Sequence, residues 1–266
     1  MTKLDGSTRL YFVVGDPIAQ VQAPVGVTAA LQDLGLNAVC VPTNVASQDI
    51  ATFFNSAKTI KNLDGILVTI PHKISGSQFC DHLSDRSKFL RAVNVVRKDG
   101  NGLSGDMVDG LGYIAALNAK GCEFVGKRVL LCGLGGAGSA IAHALVTNGV
   151  GELAIFDMDE NRQNDNIARL NALGLCRVVK GSRDVSGFDG AINASPAGMR
   201  DDDPLPFDVT TLSAHTWAGD VIAKPVETAW IIEAKKRGST TVLGVDMFAK
   251  VRDLVVNFLL AKDTNA

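Results

Sequence analysis

The sequence has few cysteines, and they are not grouped. Five cysteines occur among 266 residues, with no Cys-x-x-Cys pair. Neither a zinc site of common spacing nor a disulfide framework is therefore expected, and a reducing cytoplasm suits this composition. His82, His143 and His215 also lack the spacing of metal ligands, so no metal site is predicted.

Long runs of one chemical character are also missing. The formal net charge is −2 and no basic run is present, so nothing indicates nucleic acid or an anionic membrane as a partner. No apolar run is long enough to cross a bilayer. The opening MTKLDGSTRLYFVVGDP has only a short apolar run before a Gly-Asp-Pro turn, which is not a signal-peptide pattern. A cytoplasmic protein with a small-molecule partner is expected. The oligomeric state stays open, with a homodimer as one option.

The abundant features are glycine and apolar residues, at 27 glycines and 46% hydrophobic residues. This composition is typical of α/β proteins with many tight turns. The strand-like segments RLYFVVG, NAVCVPTNV and DGILVTI alternate with helical segments, and AVNVVRKDGNGLSGD has the pattern of a hairpin. A second α/β series begins at KRVLLC, and MFAKVRDLVVNFLLAK is a closing amphipathic helix. The sequence therefore predicts an α/β protein, with a change of domain near residue 110.

The segment GLGGAG (133–138) matches the dinucleotide-binding pattern G-x-G-x-x-G. It follows the apolar strand RVLLC and opens the helix SAIAHALV, which is the context that the pattern requires. Gly133 permits a tight turn, Gly135 lets the backbone approach the pyrophosphate, and Gly138 lets helix and strand pack closely. The predicted cofactor-binding residues are Gly133, Gly135, Gly136, Ala137, Gly138, Asp157 and Asn193.

Asp157 ends the next strand, about twenty residues after the glycines, where an acidic side chain accepts hydrogen bonds from ribose hydroxyls. It would also repel a 2′-phosphate, and the nearest arginine, Arg162, lies five residues on. The expectation is therefore a preference for NAD over NADP. Asp159 is an alternative candidate for the same role.

Five motifs, in this order, resemble the shikimate/quinate dehydrogenase family: VTIPHK (68–73), AVN (92–94), GDMVDG (105–110), GLGGAG and NASPAGM (193–199). The resemblance covers nearly the whole chain, from GDPIAQ to GVDMFAK. It implies an N-terminal α/β substrate domain over residues 1–110 and a C-terminal Rossmann NAD(P)-binding domain over 111–246. The closing helix, about 247–266, would pack back on the first domain.

The resemblance also implies functional residues. The family's catalytic lysine falls on Lys73 and its aspartate on Asp109. The pair would move the hydroxyl proton while hydride passes to or from the nicotinamide. Asn94 and Thr69 match the family's substrate-binding asparagine and threonine. A place in the shikimate pathway of aromatic amino acid biosynthesis, or in quinate metabolism, follows from this likeness. His72 is expected to be a second-sphere or surface group, and Tyr113 a packing residue.

Several positions depart from the family pattern. The two serines that bind the substrate carboxylate are replaced by Val21 and Ala23, which cannot donate hydrogen bonds. Other polar substrate contacts are replaced by apolar residues at Leu67, Met107, Val108, Ala223 and Val251. Gln20 or Gln22 is the favoured replacement donor, with Lys250 as another option.

The sequence thus predicts an NAD-dependent dehydrogenase of a shikimate- or quinate-like acid. Two alternatives stay open. One is a dehydrogenase of a different alicyclic compound, and the other is a non-catalytic NAD-binding sensor that has kept the fold.

Overall fold

The computed structural model describes residues 4–100 and 102–261. The chain divides into two compact units. The first runs up to Val108 and resumes at Arg252, and the second is Asp109–Val251. These divisions lie a few residues from the boundaries expected after 110 and before 247. Positions 262–266 of the expected closing helix lie outside the described residues.

The first unit is built on a six-stranded mixed sheet. Its strands and helices, in chain order, are β1 (Arg9–Gly15), α1 (Ala23–Asp33), β2 (Ala38–Asn44), α2 (Ile50–Thr59), β3 (Leu63–Val68), α3 (Lys73–Ser77), β4 (His82–Leu83), α4 (Asp85–Leu90), β5 (Val95–Asp99) and β6 (Gly102–Asp106). The strand order is β2-β1-β3-β5-β6-β4. β1 runs parallel to β2 and β3, whereas β5 runs antiparallel to both β3 and β6.

Buried apolar side chains on the strands and on α2 form the core of this unit, among them Val14, Phe54 and Ile66. The predicted hairpin is present, with Val95 opposite Asp106 and Asp99 opposite Gly102. Its turn residue Asn101 lies outside the described residues. The predicted strand DGILVTI ends at Val68, because the chain turns there and the N–H of His72 donates to the carbonyl of Thr69 at 2.8 Å.

The second unit is built on a six-stranded parallel sheet. Its elements are α5 (Asp109–Ala119), β7 (Arg128–Cys132), α6 (Gly136–Thr147), β8 (Glu152–Phe156), α7 (Glu160–Asn171), β9 (Arg177–Lys180), β10 (Gly190–Asn193), β11 (Trp217–Asp220), α8 (Ala229–Lys236), β12 (Thr241–Val242) and the first part of α9 (Gly244–Leu260). The order β12-β11-β10-β7-β8-β9 places β7 and β10 side by side. The chain reverses direction across the sheet at this pair, which is where doubly wound sheets bind dinucleotides.

The helix α9 begins at Gly244, earlier than the segment MFAKVRDLVVNFLLAK predicts, and its residues from Arg252 onward belong to the first unit. There the Arg97 guanidinium lies 5.3 Å from the centroid of the Phe258 ring and donates to the Phe258 carbonyl at 3.1 Å. Leu259 packs so closely on β3 that a Cβ at Gly65 would lie 2.3 Å from its Cδ2 atom. The absence of a side chain at Gly65 therefore leaves the space that Leu259 of α9 occupies.

All five cysteines are free thiols. Within residues 4–100 and 102–261, no helix is both long enough and apolar enough to cross a membrane. The same part of the chain contains no group of three or more His, Cys, Asp or Glu side chains that could hold a metal ion.

Candidate active site

The glycine-rich loop lies at the carboxyl end of β7, and each glycine has a different environment. Gly133 has φ +90°, and a Cβ there would lie 2.6 Å from the backbone nitrogen of Ser195. A Cβ at Gly138 would lie 1.9 Å from the carbonyl oxygen of Gly133. At Gly135 a Cβ would meet nothing within 4 Å. The first and third glycines are thus required by packing, whereas the second borders open space at the start of α6.

Asp157 follows β8 and is buried, with 6% of its surface exposed. One carboxylate oxygen accepts from the backbone N–H of Asp159 at 2.8 Å, and the other from that of Leu134 at 2.6 Å. Arg162 donates to both oxygens, at 2.6 and 3.1 Å. Burial alone would raise the pKa of Asp157, but these hydrogen bonds outweigh burial and lower it.

This environment differs from the open ribose acceptor that the sequence suggested. Each oxygen of Asp157 already accepts two hydrogen bonds from protein donors, which fills the lone-pair sites of a carboxylate. The charge of Asp157 is also balanced by Arg162, so the expected repulsion of a 2′-phosphate is largely cancelled. Asp159, the alternative candidate, instead caps α7 by accepting from the backbone N–H groups of Asn161 and Arg162 at 3.0 and 3.1 Å.

Asn193 ends β10, beside the glycine loop, and is fully buried. Its side-chain oxygen accepts from the hydroxyl of Ser195 at 2.6 Å, and its amide nitrogen donates to the carbonyl of Ala197 at 2.9 Å. The same nitrogen donates to Asp220, the last residue of β11, at 3.2 Å. Asn193 therefore shapes the loop that follows its own strand.

Asp220 was missed by the sequence reasoning. The signal was available, because TWAGD is an apolar strand that ends in an acid. Carboxyl ends of parallel strands share one sheet edge, so an acid at this position lies beside the residues that end β7 and β10.

Lys73 is half-buried and is the first residue of α3, directly after the turn that follows β3. The preceding His72 is 1% exposed, and its Nε2 atom lies 2.7 Å from the carbonyl oxygen of Val45. The surface position considered for His72 is thus excluded. The backbone at His72 is helical rather than extended, with φ −90° and ψ 0°. His72 ties the turn that carries Lys73 to the loop after β2.

Asn94 lies just before β5 and is bonded to the end of β6. Its backbone N–H donates to the carbonyl of Asp106 at 2.9 Å, and its side-chain oxygen accepts from the N–H of Val108 at 3.0 Å. The neighbouring N–H of Val93 donates to the carbonyl of Lys73 at 2.9 Å. Residues 93–94 therefore connect the start of α3 with the segment that leads to Asp109, the buried first residue of α5.

The last residue of β6 strengthens this segment. Asp106 is 3% exposed and accepts from the hydroxyl of Ser84 at 2.5 Å and from the N–H of Met107 at 2.7 Å. Arg86 pairs with the same carboxylate through two nitrogens. Met107 and Val108, which stand where the family has polar residues, are buried in the unit.

The remaining predicted substrate residues lie near the same end of β1 and β3. Thr69 is half-buried, and its N–H donates to the carbonyl of Val14 at 3.0 Å. Gln20 is exposed, and its amide donates to the carbonyl of Pro17 at 2.8 Å, within its own loop. Gln22 is exposed at the residue that precedes α1. A role of Gln20 or Gln22 in carboxylate binding stays a prediction.

The second unit fits a nicotinamide dinucleotide. Its parallel sheet has a strand-to-helix glycine loop at the reversal point, with open space above Gly135 that a side chain would fill. Together with the α/β first unit, in which Lys73 follows the buried strand β3 at the start of α3, these features are typical of two-domain oxidoreductases of the Rossmann class.

The comparisons with known proteins identify the family. Residues 13–96 match the family model of the shikimate dehydrogenase substrate binding domain. A shikimate dehydrogenase (NADP(+)) of Thermococcus kodakarensis is 32% identical over 248 residues, covering 91% of this chain and 88% of that protein. The chain belongs to the shikimate dehydrogenase family.

Solved structures agree with this assignment. Shikimate 5-dehydrogenase from Listeria monocytogenes, in complex with shikimate and NAD, has a TM-score of 0.92 and 25% identity, covering 98% of this chain and 95% of that one. Quinate dehydrogenase from Corynebacterium glutamicum, in complex with NAD, has a TM-score of 0.88 and 27% identity, covering 95% and 94%. The α/β fold with a substrate domain followed by a Rossmann domain is confirmed.

The expected preference for NAD over NADP is wrong by this comparison. Relatives from Thermococcus kodakarensis, Rubrobacter xylanophilus and Methanococcus maripaludis are all named shikimate dehydrogenase (NADP(+)). The physical flaw in the expectation is the treatment of Asp157 as an isolated charge. Its carboxylate is paired with Arg162, whose side chain is 46% exposed.

Proposed function

We propose that the protein catalyses reversible hydride transfer between NADP and a ring hydroxyl of a shikimate- or quinate-like acid. The observation that carries the proposal is the position of Lys73, the first residue of α3 after the turn that follows β3. Its carbonyl accepts from the N–H of Val93, and the adjacent Asn94 is hydrogen-bonded to the segment that leads to Asp109. Membership of the shikimate dehydrogenase family and the glycine loop after β7 also support the proposal.

In this proposal Lys73 takes the proton of the hydroxyl group during oxidation and returns it during reduction. Asp109 orients the lysine and the reacting hydroxyl, while Asn94 and Thr69 contact the ring. When bound, the nicotinamide accepts or supplies the hydride. Gly133, Gly135 and the start of α6 would hold the pyrophosphate, because N–H groups of a first helical turn can donate to charged phosphate oxygens.

The test is the initial rate of NADPH and NADH formation by the purified protein, with shikimate, quinate and related hydroxylated ring acids. We expect turnover of a ring acid, with NADP as the better cofactor. Lys73→Ala should lower kcat by about 10²–10⁴-fold, the usual contribution of a positioned acid–base group. The affinity for the dinucleotide should stay unchanged, because Lys73 belongs to the first unit. Lys61→Ala, at an exposed lysine of the same unit, is the control.

A dehydrogenase of a different alicyclic compound is a second candidate, and one observation favours it. Val21 and Ala23 offer no side-chain donor, and the Gln20 amide is bonded to the Pro17 carbonyl. A substrate carboxylate would then lose hydrogen bonds that are each worth roughly 1.5–3 kcal/mol. Turnover of neutral alicyclic alcohols, together with no turnover of shikimate or quinate, would select this candidate.

The sensor alternative gives a different pattern. A non-catalytic protein would bind the dinucleotide equally well with Lys73 or alanine and would turn over none of the compounds. Such a result would contradict the enzymatic proposal.

A further inference from the structure

The carboxylate of Asp220 holds together two loops of the second unit. Asp220 is the last residue of β11 and is 1% exposed. One oxygen accepts from the N–H of Ile222 at 2.9 Å. The other accepts from the Thr228 hydroxyl at 2.7 Å and from the amide of Asn193 at 3.2 Å. One side chain therefore contacts both ends of the loop after β11 and the end of the neighbouring strand β10.

Asn193 connects Asp220 to the loop after β10 by hydrogen bonds. Its amide nitrogen, held by Asp220, also donates to the carbonyl of Ala197 at 2.9 Å. Its oxygen accepts from the N–H of Ser195 at 3.1 Å and from the hydroxyl of the same residue at 2.6 Å. Because both polar atoms of the Asn193 amide bond to the loop, the orientation of that amide sets the position of residues 194–197.

The loop after β10 in turn packs against the glycine loop. A Cβ at Gly133 would lie 2.6 Å from the nitrogen of Ser195, and one at Gly138 would lie 3.2 Å from the Cβ of Ala194. Thr228 is equally close to the far end of the loop, since a Cβ at Gly198 would lie 3.1 Å from its Cβ atom. At these distances a shift of one loop moves the other.

The position of these loops relates them to one half of a dinucleotide. The glycine loop follows β7. β8 lies on one side of β7, the side on which doubly wound sheets bind the adenosine half. β10 and β11 lie on the opposite side of β7. The loops that Asp220 joins therefore border the nicotinamide side of the crevice.

Burial and hydrogen bonds act on the pKa of Asp220 in opposite directions. Burial raises its pKa to about 6, although hydrogen bonds from Ile222, Thr228 and Asn193 oppose the rise. Two ionisable side chains on neighbouring elements, Tyr113 on α5 and Cys132 on β7, have pKa values that are raised mainly by burial and also by the charge of Asp220. Both are neutral near pH 7, so no positive charge from them balances the carboxylate.

We propose that Asp220 is a positioning residue for the dinucleotide: through Asn193 and Thr228 it fixes the loop after β10 against the glycine loop and so sets how tightly the nicotinamide half is held. The proposal rests on the proposed function, because it assumes that this crevice binds a dinucleotide.

The test compares Asp220→Asn with the wild-type protein. Asparagine keeps an acceptor for the Ile222 N–H but places an amide group against the donors of Asn193 and Thr228. Asp208→Asn is the matched control, because Asp208 also accepts a backbone N–H and a threonine hydroxyl, both from Thr210, at an exposed position. The readouts are the Kd of NADPH from its fluorescence, the separate KM and kcat values, and the thermal midpoint.

We expect Asp220→Asn to raise the Kd of NADPH by at least about tenfold and to lower kcat, with the KM of the ring substrate unchanged. Asp208→Asn should leave all three values unchanged. A lower thermal midpoint with an unchanged Kd would assign Asp220 a merely structural role and overturn the proposal.

Thr228 supplies a second test if Asp220→Asn does not fold. Thr228→Val removes the hydroxyl that donates a hydrogen bond to Asp220, so it should weaken NADPH binding. Thr228→Ser keeps a hydroxyl and should bind NADPH as the wild-type protein does. Equal Kd values for the two variants would overturn the proposal. Failure of the wild-type protein to bind any nicotinamide dinucleotide would instead overturn the proposed function itself, and the proposal with it.

Discussion

The side-chain oxygen of Asn94 accepts a hydrogen bond from the backbone N–H of Val108 at 3.0 Å, and both residues are buried. The adjacent Val93 donates its own N–H to the carbonyl of Lys73. One dipeptide, Val93–Asn94, thus sets the backbone position of Lys73 and of the residue before Asp109. Lys73 is proposed to transfer the proton and Asp109 to orient the lysine. The backbone next to each of them is therefore held by the same dipeptide.

Asn94→Ala tests this dependence. It leaves the buried N–H of Val108 without a partner, which costs about 1–3 kcal/mol of unfolding free energy. We expect kcat to fall by at least tenfold as well, because the chain before Asp109 loses its anchor. Urea unfolding and steady-state kinetics measure the two effects.

Asn62→Ala is the control for Asn94→Ala. The Asn62 amide donates to the carbonyl of Thr8 at 3.1 Å in the same unit, at the opposite end of β3. This variant should lose stability and keep its kcat. An equal loss of kcat in both variants would show that general destabilisation explains the effect.

Gly135→Ala should separate folding from dinucleotide binding. Gly135 has φ −67° and open space around its Cβ position, so alanine is tolerated and the thermal midpoint should not fall. The added methyl group would occupy the space assigned to the pyrophosphate, so the Kd of NADPH should rise by at least about tenfold. Gly6→Ala, also in open space, should change neither value. Unchanged NADPH affinity in Gly135→Ala would remove the glycine loop from the binding site.

Arg162→Ala should change both cofactor choice and acid stability. Without the guanidinium, the buried Asp157 carboxylate repels a 2′-phosphate, so the ratio of the Kd of NADP to that of NAD should rise by about tenfold. Because the pKa of Asp157 is lowered in the folded protein, its ionised form stabilises the fold above the unfolded pKa, and this stabilisation is lost as pH falls through the folded value. Arg162→Ala should therefore move acid unfolding to higher pH.

The control for Arg162→Ala lies on the same helix. Arg169 pairs with Asp165 at 3.4 Å, and Arg169→Ala should leave the Kd ratio and the acid midpoint unchanged. A Kd ratio that stays constant in Arg162→Ala would separate Arg162 from cofactor choice.

Asp220 should give the second unit a pH-dependent stability of the opposite sign. Its pKa is raised to about 6 in the folded state, so its contribution is fully present below the unfolded value and is lost as pH rises through 6. The shift corresponds to at most about 3 kcal/mol. Unfolding free energies between pH 4 and pH 7 should fall more steeply in the wild-type protein than in Asp220→Asn. Identical slopes in the two proteins would contradict the raised pKa.

Features that depend on neighbours in the chain could be predicted from the sequence. The glycine loop, the hairpin of β5 and β6 and the alternation of strands and helices all follow from local backbone preferences and apolar periodicity. The start of α3 at Lys73 could not be predicted in the same way, because the turn after Val68 depends on hydrogen bonds to Val14 in β1 and to Val93 in the segment before β5.

The sequence by itself determined the family, the two α/β domains and the residues offered to the site, because motifs in a given order carry that information without coordinates. Only the tertiary structure decided what those residues can do. In the sequence Asp157 has the position of an open acid, but in the fold Leu134, 23 residues away, donates to it. Asp220 likewise accepts from Asn193, 27 residues away. A carboxylate's charge and hydrogen bonds depend on the donors and burial around it, and folding alone brings those distant groups together.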